Sequence, residues 1–286
     1  MIIKANAKIN LSLDIVGTRE DGYHELRTVM QSVGLHDVIE MSKNKSGDIK
    51  LSCDRREIPT DNRNTAYKAA KLMLEYAGIK DMGVNIFIRK NVPSQAGMGG
   101  GSGDAAAVLR GMIALFDIDI PDDTLYDIAA RIGADVPFCL KGGTCLCEGI
   151  GEVMTELPDM PVCKLLICKP PVGVSTVYAY QEADKYPQED YYMTPDMIEA
   201  INARDIDEIA NCVGNRFDDV LHIPEVQIIK SIMLENGAKT ASMTGSGSAV
   251  FGIFDDEDKL NSARSALEDY GSVFVTEPTN NVNLIN

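Results

Sequence analysis

A glycine run that leads directly into an alanine-rich segment constrains the fold of this chain more than any other feature. Five of the seven residues from Gly97 to Gly103 are glycine, and the apolar segment Ala105 to Leu109 follows after Asp104. Glycines leave backbone N–H groups uncovered, and a helix that begins there adds the positive end of its dipole. The stretch therefore predicts a phosphate-binding loop at a helix N-terminus. A flexible linker is the alternative interpretation, although linkers seldom lead from a strand into a helix of this composition.

The common phosphate-loop motifs do not fit this run. A P-loop requires Lys followed by Ser or Thr after its last glycine, where this chain has Gly103 and Asp104. The dinucleotide fingerprint requires glycine at the position of Ser102, and a nucleophile elbow requires glycine at Asp104. The loop therefore belongs to another class of phosphate site, which the remainder of the chain has to define.

Length and charge limit the classes of function. The chain has 286 residues, of which 45% are hydrophobic and 24% charged, so we expect a globular protein of about two domains. A net charge of −16 argues against a nucleic-acid or anionic-membrane surface. We expect no membrane span and no signal peptide, because no apolar run approaches roughly 20 residues and the first residues lack an apolar core.

Cysteine usage indicates a reducing compartment. The seven cysteines are odd in number and mostly lie in apolar segments, which predicts buried thiols and a cytoplasmic location. Cys145 and Cys147 have no second cysteine pair, so a structural zinc site is not expected there.

Hydrophobic periodicity predicts strands alternating with helices. Alternation over residues 7–15 predicts a strand that carries Lys8 and Asn10 on one face. We also predict a helix over residues 64–76 with Asn64 as its N-cap, and a helix that begins at Pro195 with Thr194 as its N-cap. The composition changes near residues 157–161, so we place the domains at residues 1–158 and 159–286. A second glycine-rich turn, over residues 241–251, lies between predicted strands.

Polar residues at three places in the chain are candidates for chemistry, and each place has a simpler interpretation. Lys8 lies on a polar strand face, where a lysine is usually a solvated charge. An Asp-Gly turn presents Tyr23 and His24, which either bind a ring or cap the core. Asp135 lies in an apolar segment between Gly133 and a proline, where it either has a charged partner or bonds its own backbone.

Taken together, the motifs resemble the GHMP kinase superfamily. They occur in its order from Ala5 to about Phe254, and the resemblance is weakest between Tyr178 and Val220. The motifs are Ala7-Lys8-Ile9-Asn10-Leu11, Asp21-Gly22-Tyr23-His24-Glu25, Pro93 to Ala107, Gly133-Ala134-Asp135-Val136-Pro137-Phe138 and Met243-Thr244-Gly245-Ser246-Gly247. The first, second and fourth are similar to the branch that phosphorylates the 2-hydroxyl of a cytidine-diphosphate-linked methylerythritol, in the non-mevalonate route to isoprenoid precursors.

This resemblance implies a fold, two cosubstrates and a cofactor. The fold would be α+β with two domains, the first ribosomal-protein-S5-like and the second ferredoxin-like, and the active site would lie in the cleft between them. ATP with Mg²⁺ would phosphorylate a small molecule, and we expect no nucleic-acid or membrane partner. A monomer and a homodimer both remain open.

The resemblance also assigns roles to residues. Asp135 would be the general base, and Lys8 would keep it ionised and stabilise the developing charge. The predicted ATP-binding residues are Asn64, Lys90, Pro93, Gly97, Met98, Gly99, Gly100, Gly101, Ser102 and Gly103, with Ser102 on a phosphate or on magnesium. The predicted substrate-binding residues are Asn10, Tyr23, His24, Tyr180, Gly245 and Ser246, of which Tyr23, His24 and Tyr180 would bind the cytosine.

The chain departs from the family pattern at the glycine run. Gly103 stands where the family usually has a second serine, so one hydroxyl contact to phosphate or Mg²⁺ would be lost and nucleotide affinity would be affected more than activity. Met98 replaces a common leucine and Ala134 a common serine. Two alternatives stay open: a kinase of the same superfamily that phosphorylates another alcohol, as homoserine and mevalonate kinases do, and a ligand sensor without catalysis.

Overall fold

Two β-sheets with helices packed against them form the fold in the computed structural model, which describes residues 1–20, 22–186, 192–283 and 285. Asp21 of the predicted turn motif lies outside the described residues. The strands are β1 Ile2–Thr18, β2 His24–Asn44, β3 Ile49–Cys53, β4 Gly83–Arg89, β5 Thr144–Gly149, β6 Val153–Glu156, β7 Lys164–Lys169, β8 Gly214–Asn215, β9 Thr240–Met243, β10 Val250–Phe254 and β11 Ser272–Thr276. The helices are α1 Thr65–Tyr76, α2 Gly100–Phe116, α3 Asp122–Ile132, α4 Val136–Lys141, α5 Thr176–Ala183, α6 Met193–Ala203, α7 Ile206–Asn211, α8 Arg216–Leu221, α9 Pro224–Glu235 and α10 Glu257–Leu267.

The larger sheet is built around the long antiparallel pair β1 and β2. Its order is β3-β4-β2-β1-β8, and β5 pairs with the first half of β2 and carries β6 at its far side. The predicted strand over residues 7–15 is confirmed as part of β1. Its polar face is buried rather than solvated, because Lys8, Asn10, Ser12 and Asp14 are each at most 3% exposed. A polar row this deeply buried needs internal partners.

The smaller sheet is antiparallel, in the order β11-β7-β10-β9. Helices α9 and α10 pack on it through an apolar cluster that includes Ile229, Met233, Leu260 and Leu267. The second glycine-rich turn joins β9 to β10, as predicted. The two sheets with their helices confirm the α+β class. The boundary between residues 158 and 159 stays a prediction, and β8 returns from the second half of the chain to pair with β1.

Two predicted helix caps had different outcomes. The Asn64 side chain accepts a hydrogen bond from the Ala66 N–H and caps α1, as predicted. The prediction of Thr194 as an N-cap is wrong, because α6 already begins at Met193. The Asp14 carboxylate accepts the Met193 and Thr194 N–H groups at 3.0 and 2.8 Å and so caps α6 from strand β1. A cap supplied by a residue so distant in sequence leaves no local signal.

Within the described ranges, no helix has both the length and the apolar character needed to cross a membrane. All seven cysteines lie in these ranges and are free thiols, five of them buried.

Candidate active site

One large cavity lies between the two sheets and collects nearly all of the predicted site residues. Its volume is about 1030 Å³. Strand β1, the loop before α2, the segment after α3, helix α5 and the β9–β10 turn all contribute to its wall. The predicted residues that line it are Lys8, Asn10, Tyr23, His24, Asn64, Lys90, Pro93, Gly97, Met98, Gly99, Gly100, Gly101, Ser102, Asp135, Tyr180, Gly245 and Ser246.

The glycine run forms the N-terminus of α2, which begins at Gly100. Gly99 is its N-cap with φ 65°, a left-handed conformation, and no side chain of the described residues caps the helix. The first-turn N–H groups of an α-helix have no intrahelical partner, so here they face the cavity together with the positive end of the dipole. This geometry suits a phosphate.

Gly103 occupies a different place from its neighbours in the run. It does not belong to the described cavity wall, and its N–H donates to the Gly99 carbonyl at 2.8 Å. A Cβ at this position would lie 2.7 Å from the backbone oxygen of Asn6 on β1. Glycine therefore permits close packing of α2 against β1, and its position does not support the predicted contact with ATP.

Lys8 and Asp135 meet at the wall of the cavity. The Lys8 Nζ lies 3.5 Å from the Asp135 Oδ2, and their side chains are 4% and 30% exposed. Asp135 is the N-cap residue of α4, yet its carboxylate makes no capping bond with any described residue. Lys8 also donates its backbone N–H to the Met98 carbonyl at 3.0 Å, which fixes β1 to the phosphate loop. A carboxylate and an ammonium thus line the same cavity as the glycine run.

Asn10 is a second partner of the Lys8 ammonium, beside Asp135. Its Oδ1 accepts a hydrogen bond from the Lys8 Nζ at 2.7 Å, and its Nδ2 donates to the Thr28 Oγ1 at 2.9 Å. Its backbone N–H donates to the Thr244 Oγ1 at 3.0 Å. The predicted shared face of Lys8 and Asn10 is confirmed, and the partners Thr28 and Thr244 were missed by the sequence analysis.

The two glycine-rich turns touch each other at the cavity. A Cβ on Gly97 would lie 1.9 Å from the Thr244 carbonyl oxygen, and one on Gly245 would lie 2.7 Å from the Gly97 oxygen. Between the turns, the Ala249 N–H donates to the Ala96 carbonyl at 3.2 Å. The β9–β10 turn is therefore joined to the phosphate loop through backbone atoms, and close approach requires the glycines.

Three aromatic side chains that line the cavity, His24, Tyr180 and Phe217, pack against one another. The His24 ring stacks on Tyr180 with centroids 4.4 Å apart, and Phe217 meets Tyr180 edge-on at 5.0 Å. The His24 Nε2 lies 2.7 Å from the Asp184 Oδ1. Tyr23 is 61% exposed at the cavity mouth. Burial raises the pKa of Tyr180 to about 12, so its phenol stays neutral. The structure thus brings Tyr180 to the predicted pair and adds Asp184 and Phe217, which the sequence analysis missed.

Lys90 forms a buried ion cluster beside the loop. Its Nζ donates to the Asp37 carboxylate and, at 2.8 Å, to the Asp104 Oδ2. The Asp37 Oδ1 also accepts the Asn91 and Val92 N–H groups, which ties the loop to β2. Burial raises the pKa of Asp104 to about 7. Lys90 was among the predicted site residues, whereas neither carboxylate was, although Asp104 directly follows the glycine run.

The comparisons with known proteins agree with this geometry. The family models for the GHMP kinases N terminal domain and the GHMP kinases C terminal match residues 64–143 and 197–273. The chain is 46% identical over 279 residues to the 4-diphosphocytidyl-2-C-methyl-D-erythritol kinase of Caldicellulosiruptor saccharolyticus, covering 97% of this chain and 94% of that protein. It is 45% identical to the enzyme of the same name from Clostridium botulinum, covering 96% and 99%.

Two solved kinase structures are also similar to this chain. A crystal structure of 4-(cytidine 5'-diphospho)-2C-methyl-D-erythritol kinase superimposes with a TM-score of 0.82 at 31% identity, covering 97% of this chain and 99% of that chain. Homoserine kinase from Cytophaga hutchinsonii has a TM-score of 0.74 at 19% identity, covering 99% and 95%, and shares the fold. The chain therefore belongs to the GHMP kinase family. The two relatives at 45% and 46% identity and the solved structure at 31% identity carry the diphosphocytidyl methylerythritol kinase name.

Proposed function

We propose that the chain transfers the γ-phosphoryl group of ATP to the 2-hydroxyl of 4-diphosphocytidyl-2-C-methyl-D-erythritol, a step of the non-mevalonate route to isoprenoid precursors. The observation that carries this proposal is the Lys8–Asp135 pair, 3.5 Å apart, in the same cavity as an uncapped helix N-terminus. The names of relatives at 45–46% identity supply the substrate.

The reaction needs little from the protein except positioning, one base and charge stabilisation. Asp135 takes the proton of the attacking hydroxyl as its oxygen bonds to the γ-phosphorus, and the bond from that phosphorus to the bridging oxygen of ADP breaks. Its carboxylate suits the role, because it is partly exposed to the cavity and is held by Lys8. The Lys8 ammonium stabilises the charge that develops on the transferred group.

ATP fits the phosphate loop and its surroundings. The N–H groups at the start of α2 would bind its phosphates, and Asn64 and Lys90, which line the same cavity, would lie near the adenosine. The described residues contain no group of three or more His, Cys, Asp or Glu side chains that could hold a metal. Mg²⁺ would be bound mostly by the phosphate oxygens, with the hydroxyl of Ser102, which lines the cavity, as the protein contact, and it would neutralise phosphate charge.

The aromatic residues give the cavity a place for the cytosine. Tyr23 is exposed at the cavity mouth, and Tyr180 presents a ring that His24 covers in this structure. We propose that a cytosine binds between Tyr23 and Tyr180 with hydrogen bonds to His24.

Free thiols at all seven cysteines support the proposed cytoplasmic location.

Replacement of Asp135 by Asn tests the catalytic assignment. Asn keeps the shape but cannot take the proton, so we expect kcat to fall by roughly 10²- to 10⁴-fold, the usual contribution of a general base. The affinity for a non-hydrolysable ATP analogue and the thermal unfolding midpoint should stay close to those of the unmodified protein.

Asp159→Asn is the matched control, since Asp159 is an exposed aspartate outside the described cavity wall. It should leave turnover unchanged. Near-normal turnover in Asp135→Asn would contradict the assignment of Asp135 as the base.

A further inference from the structure

A buried threonine on β2 accepts a hydrogen bond from the amide of Asn10, whose oxygen accepts one from Lys8. Thr28 lies in β2, is fully buried and lines the cavity. The register of β1 and β2 shifts between Asn10 and Ser12, where Met30 faces Asn10 and Val29 faces Ser12. This irregularity brings the Thr28 hydroxyl within 2.9 Å of the Asn10 Nδ2.

The Thr28 hydroxyl has a fixed polarity. It donates its only proton to the Ser12 carbonyl, with 2.5 Å between the oxygens. Its lone pairs remain to accept a hydrogen bond, so a donor has to face it. The Asn10 NH₂ group is that donor, which turns the Asn10 Oδ1 the other way, toward Lys8.

The orientation matters because Lys8 can only donate. Its ammonium has three N–H groups and no acceptor, and among the described residues its shortest side-chain contact is with the Asn10 Oδ1 at 2.7 Å. A flipped amide would place an NH₂ group against the ammonium. The 3.5 Å distance from Lys8 to Asp135 is longer than a hydrogen bond, so Asn10 rather than Asp135 sets the position of the Nζ.

We propose that Thr28 is a positioning residue: its hydroxyl orients the Asn10 amide, and the amide holds the Lys8 ammonium beside Asp135. This inference rests on the proposed function for the role of Lys8. It assigns Thr28 no contact with the phosphoryl group.

Replacement of Thr28 by Val tests the proposal, because Val keeps the shape and removes the hydroxyl. We expect kcat to fall roughly tenfold, the effect of losing one ordinary hydrogen bond. The KM for ATP should stay within about twofold, since the contacts at the start of α2 are kept. Thr28→Ser restores the hydroxyl and should recover most of kcat.

A double-mutant cycle with Asn10→Ala separates this role from general packing. If Thr28 acts through Asn10, Thr28→Val should cost less than about twofold in kcat when Asn10 is already Ala. A full tenfold loss in that background, or Thr28→Val turnover equal to that of the unmodified protein, would overturn the proposal.

The Asn10 side-chain amide signal in NMR gives a readout that does not depend on activity. In the unmodified protein and in Thr28→Ser, the Asn10 amide protons should exchange slowly with water, because the hydroxyl of residue 28 accepts one of them. In Thr28→Val the signal should shift and exchange faster, and an unchanged signal would overturn the proposal whether or not the enzyme acts on the proposed substrate. If Thr28→Val does not fold, Thr28→Ala carries the same cycle and the same NMR test.

Discussion

Replacement of Gly97 by Ala should separate the two glycine-rich turns that meet at the cavity. Gly97 has φ +71°, and a Cβ there would lie 1.9 Å from the Thr244 carbonyl oxygen. No rotamer relieves this overlap, because both atoms belong to or directly adjoin the backbone. The phosphate loop or the β9–β10 turn has to move.

The expected loss of stability has two parts. A non-glycine residue in the left-handed region costs about 1–2 kcal/mol. Overpacking by the new Cβ costs about 1–3 kcal/mol. This term includes the weakening of hydrogen bonds between the turns, such as the one from the Ala249 N–H to the Ala96 carbonyl. We therefore expect the free energy of unfolding of Gly97→Ala to fall by about 2–5 kcal/mol.

Gly78→Ala is the matched control for the backbone term alone. Gly78 has φ +66°, nearly the same as Gly97, and no described atom lies within 4 Å of the Cβ it would carry. Urea unfolding followed by circular dichroism should give a loss of about 1–2 kcal/mol for this variant. Only Gly97→Ala should also lower the affinity for an ATP analogue.

Equal losses of stability in Gly97→Ala and Gly78→Ala would contradict this prediction. That result would mean that the contact between the turns yields without cost, and that the cavity wall is not held by the close approach of Gly97 and Thr244.

Two further predictions concern the start of α2. Gly103→Ser should lower the free energy of unfolding by about 1–3 kcal/mol without tightening ATP binding, because its Cβ would meet the Asn6 carbonyl and the position is not part of the described cavity wall; tighter binding of an ATP analogue in a titration would contradict this. Burial raises the pKa of Asp104 from 3.8 to about 7. At a pH between these two values, Asp104 is therefore mostly protonated in the native state and mostly ionised in the unfolded state. The stability of the unmodified protein relative to Asp104→Asn should therefore fall as the pH rises from about 4 to 7, and parallel urea-unfolding profiles over that range would contradict the shift.

Local patterns predicted the elements whose causes are local. Alternation predicted part of β1, apolar spacing with an N-cap predicted α1, and the glycine run predicted the start of α2. In each case the signal lies within one stretch of the chain.

Long-range partners left no such signal. Asp14 caps α6 from β1, and Asp37 holds the loop that follows β4. Thr28 contacts Asn10 from β2, and Thr244 contacts it from the β9–β10 turn. Each of these contacts joins residues far apart in sequence, so only the folded chain reveals them. The same holds for Gly103, whose close packing against the Asn6 carbonyl joins α2 to β1.

A coupled assay of ADP release tests the central proposal most directly. The purified protein is supplied with ATP and Mg²⁺ and with 4-diphosphocytidyl-2-C-methyl-D-erythritol, homoserine or mevalonate in turn, and Asp135→Asn is run in parallel. We predict that, of the three alcohols, only the diphosphocytidyl substrate gives ADP release. This release should be lost in Asp135→Asn. Release with homoserine or mevalonate but not with the diphosphocytidyl substrate, or no release with any of them, would contradict the proposal.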